Sequence, residues 1–268
     1  ASVAVGFALA VTLPRAGNLG GGGFILIYNK DTEKISSIDY RSAAPKNATS
    51  EMYVDGDSVK RFGHLVNAVP GSVAGLLKAH EDFGSLPLRT LLQPAIDLAK
   101  EGFEVTYDLN YVLEWGKESM LVNQASRDKF YSSSQEPLKV KSNFKQPELA
   151  KTLFKISKQG SEIFYKGEIA EWISEESLSN GGLITLDDMA SYKAKYREPI
   201  EIDYRGYRIV SMGPAASGGL VLLQTLNILE NFNLKETGHN SAVTVHLLSE
   251  AMQRAFADRA VFHGDPDY

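Results

Sequence analysis

Five histidines, one serine that precedes a glycine pair and one arginine behind an apolar strand are the residues whose types and spacing bear on chemistry. The histidines are His64, His80, His239, His246 and His263, and none stands in a His-Glu-x-x-His pair. His246 and Glu250 lie one helical turn apart, which suits either two metal ligands or a surface hydrogen bond; the second is the commoner arrangement. Ser217 precedes Gly218-Gly219 where a helix should open. It reads as a nucleophile in a polarised site, or as one of several small residues that cap the helix or let backbone pass closely. The latter is preferred, because the Gly-x-Ser-x-Gly elbow is missing. No cysteine is present, which removes thiolate nucleophiles, thiolate metal sites and disulfides from these residues.

Arg41 is the strongest single candidate. It follows Ile38-Asp39-Tyr40, and the expected partner strand begins in Gly20-Gly21-Gly22-Gly23-Phe24. A guanidinium fixed at a strand end beside bare glycine backbone suits two-pronged capture of a carboxylate. On the residues alone a surface or ion-paired arginine serves as well. The glycines themselves give up about 0.5–1 kcal/mol each relative to alanine on ordering, so a folded chain keeps them for close approach or positive φ. They do not form a phosphate cradle. No register places glycines at i, i+2 and i+5, the i+5 partners of Gly20 and Gly21 being Ile25 and Leu26, and Phe24 stands where a Walker loop needs lysine.

These candidates need elements to position them. Residues 1–12 read as an apolar helix, and Phe24–Asn29 with Lys34–Arg41 as a hairpin turning through Asn29-Lys30-Asp31-Thr32. Helices follow over Ser72–Phe83, Leu88–Glu101, Tyr107–Lys117, Pro147–Lys158 and Lys166–Ser179, with glycine C-caps expected at Gly84, Gly102 and Gly160. Thr185-Leu186-Asp187-Asp188 resembles a capping box that starts a short helix up to Tyr192. Pro199–Tyr204 and Tyr207–Met212 alternate around Arg205-Gly206, a tight hairpin signal. Helices over Leu220–Asn231 and about Ser241–Phe262 close the order. Strands, helices and strands again predict an α+β arrangement in which the two hairpins meet across the helical insertion.

Composition sets the outer limits. The 268 residues carry a net charge of −5, 43% hydrophobic and 23% charged residues. That describes a globular chain without the basic face that nucleic acid requires. No apolar run reaches the ~18 residues of a membrane span. Ala1-Ser2 already lies in the apolar helix and Gly264-Asp265-Pro266-Asp267-Tyr268 follows a helix directly, so the chain is expected to be one piece or subunit of something longer.

Several motifs, in order, resemble the large subunit of γ-glutamyltranspeptidases. They are Ala16-Gly17-Asn18-Leu19-Gly20-Gly21-Gly22-Gly23-Phe24, Ile38-Asp39-Tyr40-Arg41-Ser42-Ala43-Ala44-Pro45, Val69-Pro70-Gly71-Ser72-Val73-Ala74-Gly75 and Phe164-Tyr165-Lys166-Gly167. Asn180-Gly181-Gly182-Leu183-Ile184-Thr185, Tyr204-Arg205-Gly206-Tyr207 and Ala257-Asp258-Arg259 complete the set. Their span covers essentially the whole chain.

The resemblance implies an N-terminal-nucleophile hydrolase. Residues 1–268 would be one large-subunit domain of a four-layer αββα sandwich, completed by a separate small chain from the same precursor. The nucleophile would be the small chain's first residue, a threonine whose own α-amine is the general base. None of Thr12, Thr49, Thr185 or Thr225 is therefore assigned that role. Arg41 falls on the arginine that binds the substrate α-carboxylate. No cofactor and no metal enters the implied chemistry, and export to the periplasm or medium is implied. Two departures stand out: Ser42 follows the arginine where the family usually has glutamate, and Gly213-Pro214-Ala215-Ala216 replaces a Pro-Pro-Ser-Ser run. Substrate preference is the property these changes touch. A sister acylase of glutaryl-cephalosporins, a poly-γ-glutamate capsule-processing enzyme, and a non-catalytic homologue acting as a binding protein are the alternatives.

Overall fold

The computed structural model describes residues 1–55, 58–59 and 61–267. Tyr268, the last residue of the closing Gly264–Tyr268 segment, lies outside the described residues. In chain order the elements are α1 (Ser2–Thr12), β1 (Phe24–Asn29), β2 (Lys34–Asp39), β3 (Val54–Asp55), β4 (Ser58–Val59), α2 (Ser72–Phe83), α3 (Leu88–Glu101) and β5 (Phe103–Glu104). Then come α4 (Tyr107–Trp115), α5 (Lys117–Met120), α6 (Gln124–Phe130), β6 (Asn143–Phe144), α7 (Pro147–Gln159), α8 (Ser161–Tyr165), α9 (Glu168–Ser179) and α10 (Leu186–Ser191). The last are β7 (Lys195–Arg197), β8 (Ile200–Tyr204), β9 (Tyr207–Ser211), α11 (Ser217–Leu229), α12 (Leu234–Thr237) and α13 (Ala242–Phe262). They form two compact units: Ala1–Gly23 with Tyr40–Ala194, and Phe24–Asp39 with Lys195–Tyr268.

The first unit is helical. Phe7 and Val11 of α1, Leu92 and Ala95 of α3 and Leu153 and Ile156 of α7 are all buried. α3 packs on both α1 and α7. The buried Gln146 amide donates to the Val11 carbonyl at 2.9 Å, giving the end of α1 a partner it cannot find within its own helix. A satellite cluster of Val105, Leu109, Leu113, Tyr131 and Phe144 lies under α4 to β6.

All three expected glycines cap their helices, Gly102 and Gly160 with positive φ of 93° and 63°. Gly84 is extended, and a Cβ there would stand 2.3 Å from the His80 carbonyl oxygen. Close approach, not handedness, selects it. The helix expected over Lys166–Ser179 is α9, which begins at Glu168; the short α8 precedes it, and between them stands Gly167, whose hypothetical Cβ would press on Ile163.

In the second unit β2 is central in an antiparallel sheet of order β1-β2-β7. Ser37, Ile38 and Asp39 of β2 are all buried, and the Asn29 side chain accepts from Asp31 and Thr32 in the expected turn. β8 and β9 form a separate two-stranded sheet that packs on α11. Both hairpins thus fall in one unit across the helical insertion, and the strand that pairs with β2 is the three-residue β7. Lys195-Tyr196-Arg197 has no alternating pattern to announce a strand, and Pro199, which has no N–H to give, stands between β7 and β8. Arg205 and Gly206 take φ of 51° and 82°, the doubly left-handed turn read from sequence. Arg197 donates to Asp39 at 3.2 Å and to both oxygens of Asp267. Hydrogen bonds from Arg197 and then Lys195 hold the Asp267 carboxyl well below the usual carboxylate range.

Candidate functional site

Arg41 lies in the first unit, two residues past the end of β2 rather than at its last position. Tyr40 and Gly23 exchange both backbone hydrogen bonds, with N···O distances of 3.0 and 3.2 Å. Pairing then changes partner. Ala43 exchanges both bonds with Val69, at 3.1 and 2.8 Å, so the chain at Tyr40-Arg41-Ser42 turns from one neighbour to the next.

Glycines make that turn possible. A Cβ on Gly22 would stand 2.4 Å from the Ser42 nitrogen and 2.6 Å from the Tyr40 carbonyl oxygen. On Gly71 it would stand 2.0 Å from the same Tyr40 oxygen, and on Gly75 2.0 Å from the Tyr40 ring. No alanine fits at these three positions without moving main chain or a packed ring. The glycine run therefore serves close backbone approach around residue 41. Gly21 adds a tie, its carbonyl accepting from the Gly71 and Ser72 N–H groups at 2.8 and 3.0 Å. The Ser72 hydroxyl donates to the Asn18 carbonyl at 3.0 Å.

Two tyrosines brace the other side. The Tyr192 hydroxyl donates to the Arg41 carbonyl at 2.7 Å. Its ring stacks on Tyr165 with centroids 5.6 Å apart and planes 9° from parallel. The buried Tyr165 hydroxyl donates to the Pro70 carbonyl at 2.9 Å and accepts from the Ala74 N–H at 3.1 Å. Burial raises the Tyr165 pKa far above its ordinary value, and burial raises that of Tyr40 as well. Both phenols stay neutral throughout the physiological range.

The segment after Arg41 is anchored by Asp188. This buried carboxylate accepts from the Lys46 N–H at 2.9 Å and from both the N–H and the hydroxyl of Thr185, at 2.9 and 2.6 Å. The Asp188 N–H in turn donates to the Thr185 hydroxyl oxygen at 3.1 Å, completing the capping box read from sequence. Burial alone would raise the Asp188 pKa; the hydrogen bonds from Thr185 and Lys46 outweigh it and lower the value.

Arg41 itself is exposed on this rigid base. A guanidinium whose main chain is held between the glycine run, the Val69–Gly71 segment and Tyr192, on an exposed residue, is suited to bind an anionic group of a small molecule. The other candidates are placed elsewhere. Ser217 opens α11 in the second unit and makes no capping bond, while a Cβ on Gly219 would stand 2.1 Å from the Met212 carbonyl oxygen. The small residues there serve tight backbone passage. Glu250 pairs with Arg254 at 2.7 Å, and His246 adds only a charge interaction. Among the described residues no group of three or more His, Asp or Glu is gathered as metal ligands. Tyr165, Gly71 and Gly75 lie inside motifs read from sequence, but their roles were not legible there. Tyr192 carried no signal beyond ending a short helix.

The family model described as gamma-glutamyltranspeptidase matches residues 1–268. The glutathione hydrolase proenzyme of Escherichia coli (strain K12) is 46% identical over 273 residues, covering all of this chain and 47% of that protein. The chain spans about half the length of the curated relatives it matches. The crystal structure of Helicobacter pylori gamma-glutamyltranspeptidase superposes with a TM-score of 0.95 at 39% identity, over 100% of this chain and 78% of that one. Gamma-glutamyltranspeptidase from Pseudomonas nitroreducens, complexed with L-DON, gives 0.92 at 41% identity over 99% and 79%. These neighbours have the N-terminal-nucleophile hydrolase fold, to which the mixed helices and sheets of this chain conform. The chain belongs to the gamma-glutamyltranspeptidase family.

Proposed function

We propose that this chain is the large-subunit portion of a γ-glutamyltranspeptidase, or glutathione hydrolase, and that its Arg41 binds the α-carboxylate of γ-glutamyl substrates. The observation that carries the proposal is the base built around Arg41 from Gly22, Gly71, Ala43 and Tyr192, in a chain of this family. Residues 1–268 act as one large-subunit domain. A small chain from the same precursor completes a four-layer αββα sandwich and begins with the nucleophilic threonine. Its hydroxyl attacks the γ-glutamyl amide carbon while its α-amine takes the proton; the amide C–N bond breaks, and the proton passes to the leaving amine. Water then releases glutamate, or an amino acid or peptide takes the acyl group. Arg41 holds the far end of the glutamyl moiety throughout, which orients the amide without touching the reacting bond. Export to the periplasm or medium is part of the same reading. Among the described residues no helix is long and apolar enough to cross a membrane.

Intact-mass measurement and N-terminal sequencing of the full-length gene product test it. Two chains, the smaller starting at threonine, together with release of p-nitroaniline from γ-glutamyl p-nitroanilide, are expected. A single uncut chain without that activity would leave the non-catalytic binding protein as the correct reading.

A further inference from the structure

The main chain of Arg41 is fixed by a side chain that arrives from the far end of the first unit. The Tyr192 hydroxyl reaches the Arg41 carbonyl at 2.7 Å. That hydroxyl has a defined direction, because the ring is stacked at 5.6 Å on Tyr165, and Tyr165 is bonded at its own hydroxyl to Pro70 and Ala74. Gly71 leaves the room: a Cβ there would come within 2.2 Å of the Tyr192 oxygen. Backbone ties on this turn also fall on its neighbours, Tyr40 and Ala43. A guanidinium at the end of a flexible stem binds a carboxylate well only if the base of the stem is fixed beforehand, since ordering it on binding subtracts from affinity.

We infer that Tyr192 is a positioning residue for carboxylate recognition: its hydroxyl holds the Arg41 main chain so that the guanidinium is preorganised for the substrate α-carboxylate. This rests on the reading of Arg41 given above. Tyr192 reaches Arg41 through the main-chain carbonyl, so its loss acts on substrate affinity through Arg41.

The test uses the processed full-length enzyme and three variants: Tyr192→Phe, Arg41→Ala and the double substitution. Phenylalanine keeps the ring that stacks on Tyr165, and thermal denaturation checks that the fold persists. KM and kcat are measured for γ-glutamyl p-nitroanilide. Removing one neutral hydrogen bond should raise KM about three- to ten-fold, with kcat changed less than about two-fold. In the Arg41→Ala background the same substitution should change KM by less than about two-fold, since no guanidinium remains to be aimed. A wild-type KM for Tyr192→Phe, or an effect of full size in the Arg41→Ala background, would overturn the inference while Arg41 stands. If Arg41→Ala itself leaves KM unchanged, the reading of Arg41 fails and the role of Tyr192 fails with it.

Discussion

The Tyr192 hydroxyl and the Arg41 carbonyl meet at 2.7 Å across 151 positions of sequence. The bond joins the residue after α10 to the turn after β2, so the end of the helical insertion supports the residue that precedes it. Gly22 and Gly71 press on the same turn from the glycine run and from the start of α2. A functional arginine is thereby mounted on main chain that three separate segments fix.

The glycines should differ sharply in tolerance. A Cβ on Gly22 meets the Ser42 nitrogen at 2.4 Å, whereas one on Gly20 meets only the Asn18 side-chain oxygen, at 3.4 Å. Gly22→Ala should lower stability by about 1–3 kcal/mol through forced backbone shifts. Gly20→Ala should stay within about 0.5 kcal/mol of wild type, as unstrained surface substitutions do. Urea denaturation of the two variants makes the comparison; equal effects would remove close approach as the reason for the run.

Tyr165→Phe should destabilise without loss of volume. It leaves the Pro70 carbonyl and the Ala74 N–H without their hydrogen-bond partner at a buried position. About 1–3 kcal/mol is expected from such orphaned groups, a fall in Tm of about 2–8 °C for a chain of this size. Differential scanning calorimetry reads it.

Asp188 gives the stability a pH dependence of known sign. Its folded pKa is lowered, so its contribution is complete above the unfolded value of about 4 and is lost as pH falls towards the folded value. Asp188→Asn should therefore be less stable than wild type at pH 7, and the Tm difference should shrink on acidification below about pH 4. A difference that widens in acid would reverse the assignment.

Much of this fold was legible because its elements are locally consistent. The capping box at Thr185 to Asp188, the Asn29 turn and the Arg205-Gly206 hairpin are each set by side chains within a few residues of one another. β7 was not legible, since Lys195-Tyr196-Arg197 becomes a strand only by pairing with β2. α8 was not legible either, since five residues between Gly160 and Gly167 are too few to show a helical period. Arg41 could be singled out from its glycine neighbourhood and from family motifs. Its supports could not, because Tyr192 and Gly71 reach it through contacts that leave no periodicity in the sequence.

The most direct measurement is the KM of γ-glutamyl p-nitroanilide for the processed wild-type enzyme and for Arg41→Ala. A desolvated guanidinium–carboxylate bond contributes about 1.5–3 kcal/mol, so KM should rise about ten- to one-hundred-fold with a smaller change in kcat. A KM equal to that of wild type would contradict the account, and Arg41 would be an ordinary exposed arginine on a rigid turn.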